Sequence, residues 1–468
     1  MQASPQPSSN CNRCEPPKWQ RIRAAMRTLI VNAPSGAKQG DRRAFARIQV
    51  TVESLDVTGW LSSQTAPTQV YWGSRDGGFE MAGVGVADVL TAESPDTTNR
   101  VLEAVVCALE AGDEDLRYFG GLRYCSPHHA DGLWRTFPAC RFILPRFELV
   151  REGGCTRLVC NLRPRDGEEG IRSALAQLDA LQFTPAPSDP PLHKPTGRDD
   201  CPDREAWERI VNNALAAIRD GTLGKIVLAR RSVLEFDVPP HASVLLRRLK
   251  AVTPGCFHFG FQTSHAEAFV GASPERLYRR QGRLIETEAV AGTRPRRGNE
   301  RDDERLGEEL LRSDKDRREH GFVRDALRTT LEPVCRALRV DNDMSLLKLA
   351  RGQHLFTGFQ GELRAELSDA ALLGLLHPTP AVGGCPTEAA VQRIGQWEGF
   401  DRGWYAAPVG WLGRDSAEFA VAIRSALIRG NSLALFAGAG IVAGSTADGE
   451  WEEIEHKIGD FIRILTGD

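Results

Sequence analysis

What the chain lacks narrows the field first. No apolar run approaches the length needed to cross a bilayer. The opening residues, MQASPQPSSNCNRCEPPKWQ, are polar and lack the apolar middle of a secretory signal, so a cytoplasmic location is expected. Neither sign of charge dominates. The formal net charge of −3 gives no electrostatic reason to expect nucleic acid or an anionic membrane as partner. No internal repeat of solenoid period is present. The 11 cysteines are odd in number and scattered, which argues against a disulfide framework. Cys140 and Cys256 sit among apolar neighbours and read as small hydrophobes. Cys11 and Cys14 form a lone CxxC without the two further ligands that zinc needs.

What is present is an ordinary globular composition, 41% apolar and 26% charged over 468 residues, enough for a sizeable core. Residues 1–40 read as a poorly ordered N-terminal tail and 41–183 as a strand-rich first half, with a Gly153–Gly154 turn between two strands. A Pro-rich linker is expected over 184–202, and a second half over 203–468. In that half Asp203 is placed to cap a helix with an apolar stripe of Trp207, Ile210, Val211, Ala214, Leu215 and Ile218, ended by Gly221. A charged helix is expected from about Asp302 to Glu332. Runs of strands and runs of helices without regular alternation indicate the α+β class.

Several residues sit oddly for their surroundings. Lys225 opens the strand-like LGKIVLARR, where a surface lysine lying along the strand is the plain explanation. Asp316 and Glu319 lie on or beside the helix face marked by Phe322, Val323 and Ala326. Inward carboxylates need a cation or donors, although a solvated charged helix would serve as well. The last helix repeats the theme. Glu450, Glu453 and Lys457 share a face beside its apolar stripe, with Glu453 and Lys457 spaced for a surface ion pair. If Glu319 and Glu453 met across the fold they would suit Mg²⁺, which takes few protein ligands and keeps several waters.

The glycine-rich stretch LFAGAGIVAGST, residues 435–446, matches neither GxGxxG nor GxxxxGK[ST]. It reads instead as a carboxylate-binding turn, with Arg424 emerging from the preceding strand. Glu275, after a Ser-Pro turn, reads equally well as a partner of Arg276. His377, among three prolines and two glycines, reads as a core histidine satisfied by backbone.

The motifs GKIVLARR, FVGASPERL, ETEAVAGTRPR, SDKDRREH, LHPTPAVGGCP, GWYAAPVGW, AIRSAL and LFAGAGIVAGSTADGEWEEIEHK together resemble the chorismate-utilising enzymes, in order and in spacing. They span Lys225 to Lys457, and weaker likeness reaches back to about Ile48. The resemblance implies two large antiparallel sheets packed face to face with helices outside, a four-layer α/β/β/α sandwich. It also implies chorismate as substrate, Mg²⁺ as cofactor and a monomer. It makes Lys225 the general base and Glu275 the general acid. Glu319 and Glu453 become the direct Mg²⁺ ligands, with Glu450 and Asp316 acting through water. It sets Tyr405, Arg424, Gly438 and Lys457 on the substrate carboxylates, Gly292, Thr293 and Ala381 around the ring, and His354 near the C4 side.

Within the family the likeness is to members that make isochorismate by adding water at C2 with loss of the C4 hydroxyl. That product feeds menaquinone, siderophore or salicylate synthesis. Aminodeoxychorismate synthases use a lysine where Ala291 stands here, and anthranilate synthases lack Lys225. Salicylate synthases share the acid, the base and the metal carboxylates, and are the alternative. A catalytically inactive binding relative is the third reading.

Overall fold

In the computed structural model the described residues are 17–33, 45–53, 55–124, 132–184, 193–296, 298–364 and 367–466. Cys11 and Cys14 lie outside them. Two antiparallel sheets of 12 and 10 strands carry the architecture, one strand of each lying off the main order: Gly197–Cys201, paired with Lys225–Glu235, and Ser345–Lys348, paired with Gly352–Leu363. The first runs Ala46–Val52, Cys155–Leu162, Phe147–Glu152, Phe79–Val84, Gln69–Gly73, Phe257–Ser264, Glu267–Ser273, Ser425–Arg429, Ser432–Ile441, Lys225–Glu235, Gly384–Cys385. The second runs Cys335–Val340, Gly352–Leu363, Leu284–Pro295, Arg276–Gln281, Ser416–Val421, Pro408–Gly413, Arg117–Leu122, Cys140–Leu144, Asp88–Ala92. Both sheets draw strands from both halves of the chain, so the halves are not separable domains. No helix among the described residues is long and apolar enough to cross a membrane.

Side-chain alternation explains the layering. In the strand Gln69–Gly73, Val70 and Trp72 enter the main core while Tyr71 enters a second one on the other face. The main core lies between the sheets. Phe79 of the first sheet stacks on Phe119 of the second at 6.4 Å and meets Trp411 at 5.7 Å. The second core joins the outer face of the first sheet to the helices Pro17–Val31, Val57–Ser62 and Gly167–Ala180. Asp314–Leu331 covers the second sheet over Leu284–Pro295.

Four sequence expectations are corrected here. The tail is not poorly ordered throughout, because Pro17–Val31 is a helix that buries Trp19, Met26 and Ile30. The linker ends inside a strand, since Gly197–Cys201 pairs with Lys225–Glu235. Residues 185–192 of that linker lie outside the described set. The charged helix is two helices, Glu300–Arg312 and Asp314–Leu331, broken at Ser313, whose hydroxyl accepts from the Asp316 amide at 3.3 Å. An N-cap residue inside a helical pattern competes for its own backbone. The glycine-rich stretch is mostly strand rather than turn, Ser432–Ile441 pairing with Lys225–Glu235; its second neighbour, Ser425–Arg429, pairs only as far as Phe436, so beyond that residue the strand lines the cavity with Ala437, Gly438 and Gly440. Asp203 and Gly221 do bound the helix Arg204–Arg219, with Asp203 accepting from Ala206 N at 2.8 Å.

Candidate active site

The chain crosses from one sheet to the other twice at the same corner. Residues 274–275 join Glu267–Ser273 to Arg276–Gln281, and residues 422–424 join Ser416–Val421 to Ser425–Arg429. The crossings are tied together. Val421 N donates to Glu275 O at 3.1 Å, Ala272 N to Arg424 O at 3.1 Å, and Ser273 Oγ to Val421 O at 2.6 Å. This lacing puts Glu275 and Arg424 on one wall. The only non-glycine residues with positive φ among those described are Arg424 (49°) and Ala406 (60°), which follows Tyr405. Backbone strain of this kind concentrates at functional sites.

Between the crossings lies a cavity of about 90 Å³. Its walls hold Glu275, Gly292, Thr293, Glu319, His354, Ala381, Tyr405, Arg424, Gly438, Glu453 and Lys457. Lys225 stands behind it through Glu319, Asp316 beside Gly292, and Glu450 on the same helix as Glu453, three residues before it. Nearly every residue singled out in the sequence therefore converges on one place.

Lys225 is fully buried, which removes the surface-lysine explanation. Its Nζ stands 3.1 Å from Glu319 Oε1, an ion pair without hydrogen-bond alignment. Gly440 on the neighbouring strand makes room for both. A Cβ there would sit 2.1 Å from Glu319 Oε1 and 3.2 Å from Lys225 Cε. Glu275 is buried, and that burial raises its pKa to about 8. The nearby Glu288 adds to the rise, against weaker opposition from Lys225 and Lys457. Arg276 turns away from it to Glu286 and Glu418, so the reading of Glu275 as an Arg276 partner falls.

Each acidic residue of the expected metal set has its own cation. Glu319 pairs with Lys225, Glu453 with Lys457 at 2.7 Å, Glu450 with Lys315 at 2.6 Å and Asp316 with Arg294 at 2.9 Å. Burial works against the Glu453 carboxylate, but Lys457, Lys315 and Arg294 outweigh it and lower its pKa. Burial and the neighbouring Glu453 raise that of Glu450, whose Oε2 is buried without a partner. No three His, Cys, Asp or Glu side chains among the described residues form a protein-only metal cage. Mg²⁺ does not need one, being held by one or two carboxylates, waters and substrate oxygens. Two cavity-wall carboxylates, with an orphaned carboxylate oxygen behind them, fit that ion.

The remaining polar groups are set for an organic anion. Lys457 Nζ donates to Gly438 O at 2.8 Å, and Tyr405 Oη lies 3.0 Å from where a Gly438 Cβ would be. Burial and the Arg424 guanidinium lower the pKa of His354 to about 3. Its Nδ1 lies 3.2 Å from Gly292 O and 3.0 Å from Thr293 Oγ1. A carbonyl only accepts, so the proton is assigned to Nδ1. That leaves Nε2 a bare acceptor, buried and unpartnered. His377 departs from expectation, since both of its ring nitrogens are buried without a backbone or other hydrogen-bond partner.

The Glu398–Arg402 pair escaped sequence reading. Both side chains are 1% exposed and 2.5 Å apart. Arg402 donates to Val227 O and Val382 O, each at 2.8 Å, and Glu398 accepts from Ala229 N at 2.7 Å. The pair thereby clamps the Lys225 strand to the loop carrying Ala381. Its only sequence signal is an i,i+4 acid–base spacing, which usually marks a surface pair. Arg402→Met leaves Glu398 buried and uncompensated, so a loss of about 3–5 kcal/mol is expected. Urea unfolding reads it, and an unchanged midpoint would contradict the clamp.

Comparison with known proteins agrees with this geometry. A family model described as "Chorismate binding enzyme" matches residues 29–466. The salicylate biosynthesis isochorismate synthase of Pseudomonas aeruginosa is 35% identical over 446 residues, 92% of each chain. Isochorismate synthase MenF of Escherichia coli is 33% identical over 422 residues, 88% of this chain and 91% of that one. The solved structure of the menaquinone-specific isochorismate synthase MenF from Escherichia coli superposes with a TM-score of 0.82 at 30% identity, covering 94% of this chain and 99% of that one. Anthranilate synthase component I from Streptococcus pneumoniae shares the fold, with a TM-score of 0.67 at 20% identity, over 92% and 95% of the two chains. The chain therefore belongs to the chorismate-binding enzyme family.

Proposed function

We propose that this protein is a Mg²⁺-dependent isochorismate synthase, converting chorismate to isochorismate. The observation that carries the reading is the placing of two buried groups about one cavity: Glu275 on its wall, and Lys225 at a strand start directly behind it through Glu319. Moving a hydroxyl from C4 to C2 needs a base to activate water and an acid to protonate the departing hydroxyl. Lys225 takes the water proton as the C2–O bond forms. The double bonds shift, the C4–O bond breaks, and Glu275 delivers its proton to that oxygen. Arg424, Lys457 and the Tyr405 hydroxyl bind carboxylate oxygens and orient the ring. His354 Nε2 accepts from a substrate hydroxyl.

Glu319 and Glu453 would hold Mg²⁺, with Glu450 and Asp316 reaching it through water. When bound, the ion neutralises a substrate carboxylate and withdraws electron density. Ala291 on the cavity wall supports water rather than an enzyme nucleophile as the attacking group. The free thiols Cys107, Cys140, Cys155, Cys160, Cys335 and Cys385 favour a reducing, cytoplasmic setting. The names of the relatives span salicylate and menaquinone biosynthesis, and isochorismate is common to both.

Chromatography of chorismate incubated with protein and Mg²⁺ tests the reading. Isochorismate is the expected product. Salicylate plus pyruvate as main products would replace the reading with salicylate synthase, and no conversion by folded protein would end it. Glu319→Ala and Glu453→Ala should each raise the Mg²⁺ concentration giving half-maximal activity by at least about tenfold, the usual scale for a lost ligand or its support. Both should also abolish the Mg²⁺-dependent rise in melting temperature expected of the wild type. Unchanged titrations in both variants would remove these residues as ligands.

A further inference from the structure

Glu275 lies on a crossing between the sheets, and its two chain neighbours are gripped by one ion pair. That pair joins the two halves of the chain. Arg75 comes from the turn of residues 74–78, between the paired strands Gln69–Gly73 and Phe79–Val84. Glu288 belongs to Leu284–Pro295 in the second sheet. The contact is bidentate. Arg75 Nη1 donates to Glu288 Oε1 at 2.5 Å and Nη2 to Oε2 at 2.7 Å, and both side chains are largely buried.

Each partner also holds the main chain beside Glu275. Arg75 Nη1 donates to Pro274 O at 2.7 Å. Glu288 Oε1 accepts from the Arg276 amide at 2.9 Å. Arg276 lies beyond the ladder between its strand and Leu284–Pro295, which covers Arg279–Gln281, so here a side chain does what a strand would. The turn itself is anchored to the second sheet by Ser74 Oγ, which donates to Glu418 Oε2 at 2.6 Å. Joining the sheets needs only one of these bonds. Gripping both neighbours of one residue does more, because it fixes the direction in which that residue's side chain leaves the main chain.

We propose that Arg75 and Glu288 are positioning residues for the Glu275 carboxyl, holding it at the reaction cavity through the main chain on either side. The proposal rests on the reading of Glu275 as the general acid. Pro274 and Glu275 line the cavity, whereas Arg75 and Glu288 do not, so the pair touches none of the reacting atoms. Charge adds to the effect. Glu275 is faced by Glu288, Lys225, Lys457 and Tyr405, and it shares the cavity wall with Arg424, Glu319, Glu453 and His354. Glu288 favours the protonated acid, and Lys225 and Lys457 favour the ionised one.

Full-length Arg75→Met, Arg75→Lys and Glu288→Gln, assayed with Mg²⁺ and chorismate, test the proposal. Arg75→Met should lose about 10–100-fold in kcat with KM little changed, the scale of a misplaced catalytic group. Arg75→Lys keeps a cation without the planar fork and should recover only part of that loss. Glu288→Gln preserves side-chain size, removes the charge and keeps the test open if Arg75→Met does not fold. In it the alkaline limb of kcat/KM should move down by about one pH unit. A merely structural tie would lower rates and leave that limb in place. The infrared band of the protonated Glu275 carboxyl, identified by its loss in Glu275→Gln, follows the same titration without turnover. Its midpoint should fall with the limb. An unmoved midpoint in Glu288→Gln would overturn the proposal, and so would full kcat in folded Arg75→Met. A midpoint that moves in protein making no isochorismate supports the grip on Glu275 while ending the general-acid reading.

Discussion

Lys225→Ala is expected to lower kcat by about 10²–10⁴-fold, the range for losing a positioned general base, while the protein keeps its fold. The fold should survive because Glu319, the partner left behind, is 15% exposed and can take up water. The sharper test is Lys225→Arg. A guanidinium restores the positive charge beside Glu319 but cannot give up its proton in a protein. If Lys225 acts as a base, the arginine enzyme should be nearly as inactive as the alanine one. If the lysine only balances Glu319, arginine should restore much of the rate. Steady-state rates on variants shown folded by circular dichroism separate the two.

Glu275→Gln carries the second large effect, and it reaches both rate and stability. Gln cannot donate a proton to a departing hydroxyl, so a loss of about 10²–10⁴-fold in kcat is expected. In the wild type, kcat/KM should fall as pH rises through about 8, where Glu275 ionises. The stability effect has the opposite sign. Below pH 4.5 the acid is protonated in folded and unfolded chains alike, and burial carries no penalty. Between 4.5 and about 8 only the unfolded chain ionises, so folding stability is progressively lost across that window. At about 1.4 kcal/mol per tenfold change in proton affinity, the penalty grows to about 5 kcal/mol. Glu275→Gln lacks it. The variant should therefore be more stable than wild type at pH 9 and nearly equal at pH 4. Denaturant unfolding at the two pH values checks this, and equal stabilities at pH 9 would mean that Glu275 is not buried as described.

Much of the site was legible from local pattern joined to family resemblance. Lys225 stood out because a charge opened an apolar strand, and Asp316 and Glu319 because they lay against an apolar helix face. Local pattern could not show that the Lys225 strand pairs with Ser432–Ile441 on one side and Gly384–Cys385 on the other. Sheet order is set by contacts between residues far apart in sequence, which alternation alone does not encode. The same limit explains the glycine stretch. Gly438 and Gly440 look like a ligand-binding loop in isolation. In the sheet they are strand positions, where a missing side chain leaves space for Tyr405, Glu319 and Lys225.

The Ser313 break was readable after the fact, as a serine three residues ahead of Asp316 whose hydroxyl accepts from that residue's amide. The Glu398–Arg402 clamp was not, because the same spacing on most helices faces water. The helix Pro17–Val31 was hidden by its polar surroundings. Trp19, Met26 and Ile30 are buried in the core with Ile22 packed against it, a thin stripe that becomes stable by packing on Gly167–Ala180 and the outer sheet face.

The central claim is that water, activated beside Lys225, becomes the C2 hydroxyl of the product. Chorismate should be converted in ¹⁸O-enriched water with Mg²⁺, and the product read by mass spectrometry and NMR. The account predicts isochorismate carrying one solvent oxygen, located at C2, with the C4 oxygen lost. Isochorismate whose C2 oxygen comes from the substrate would contradict it, as would folded protein that leaves chorismate unchanged.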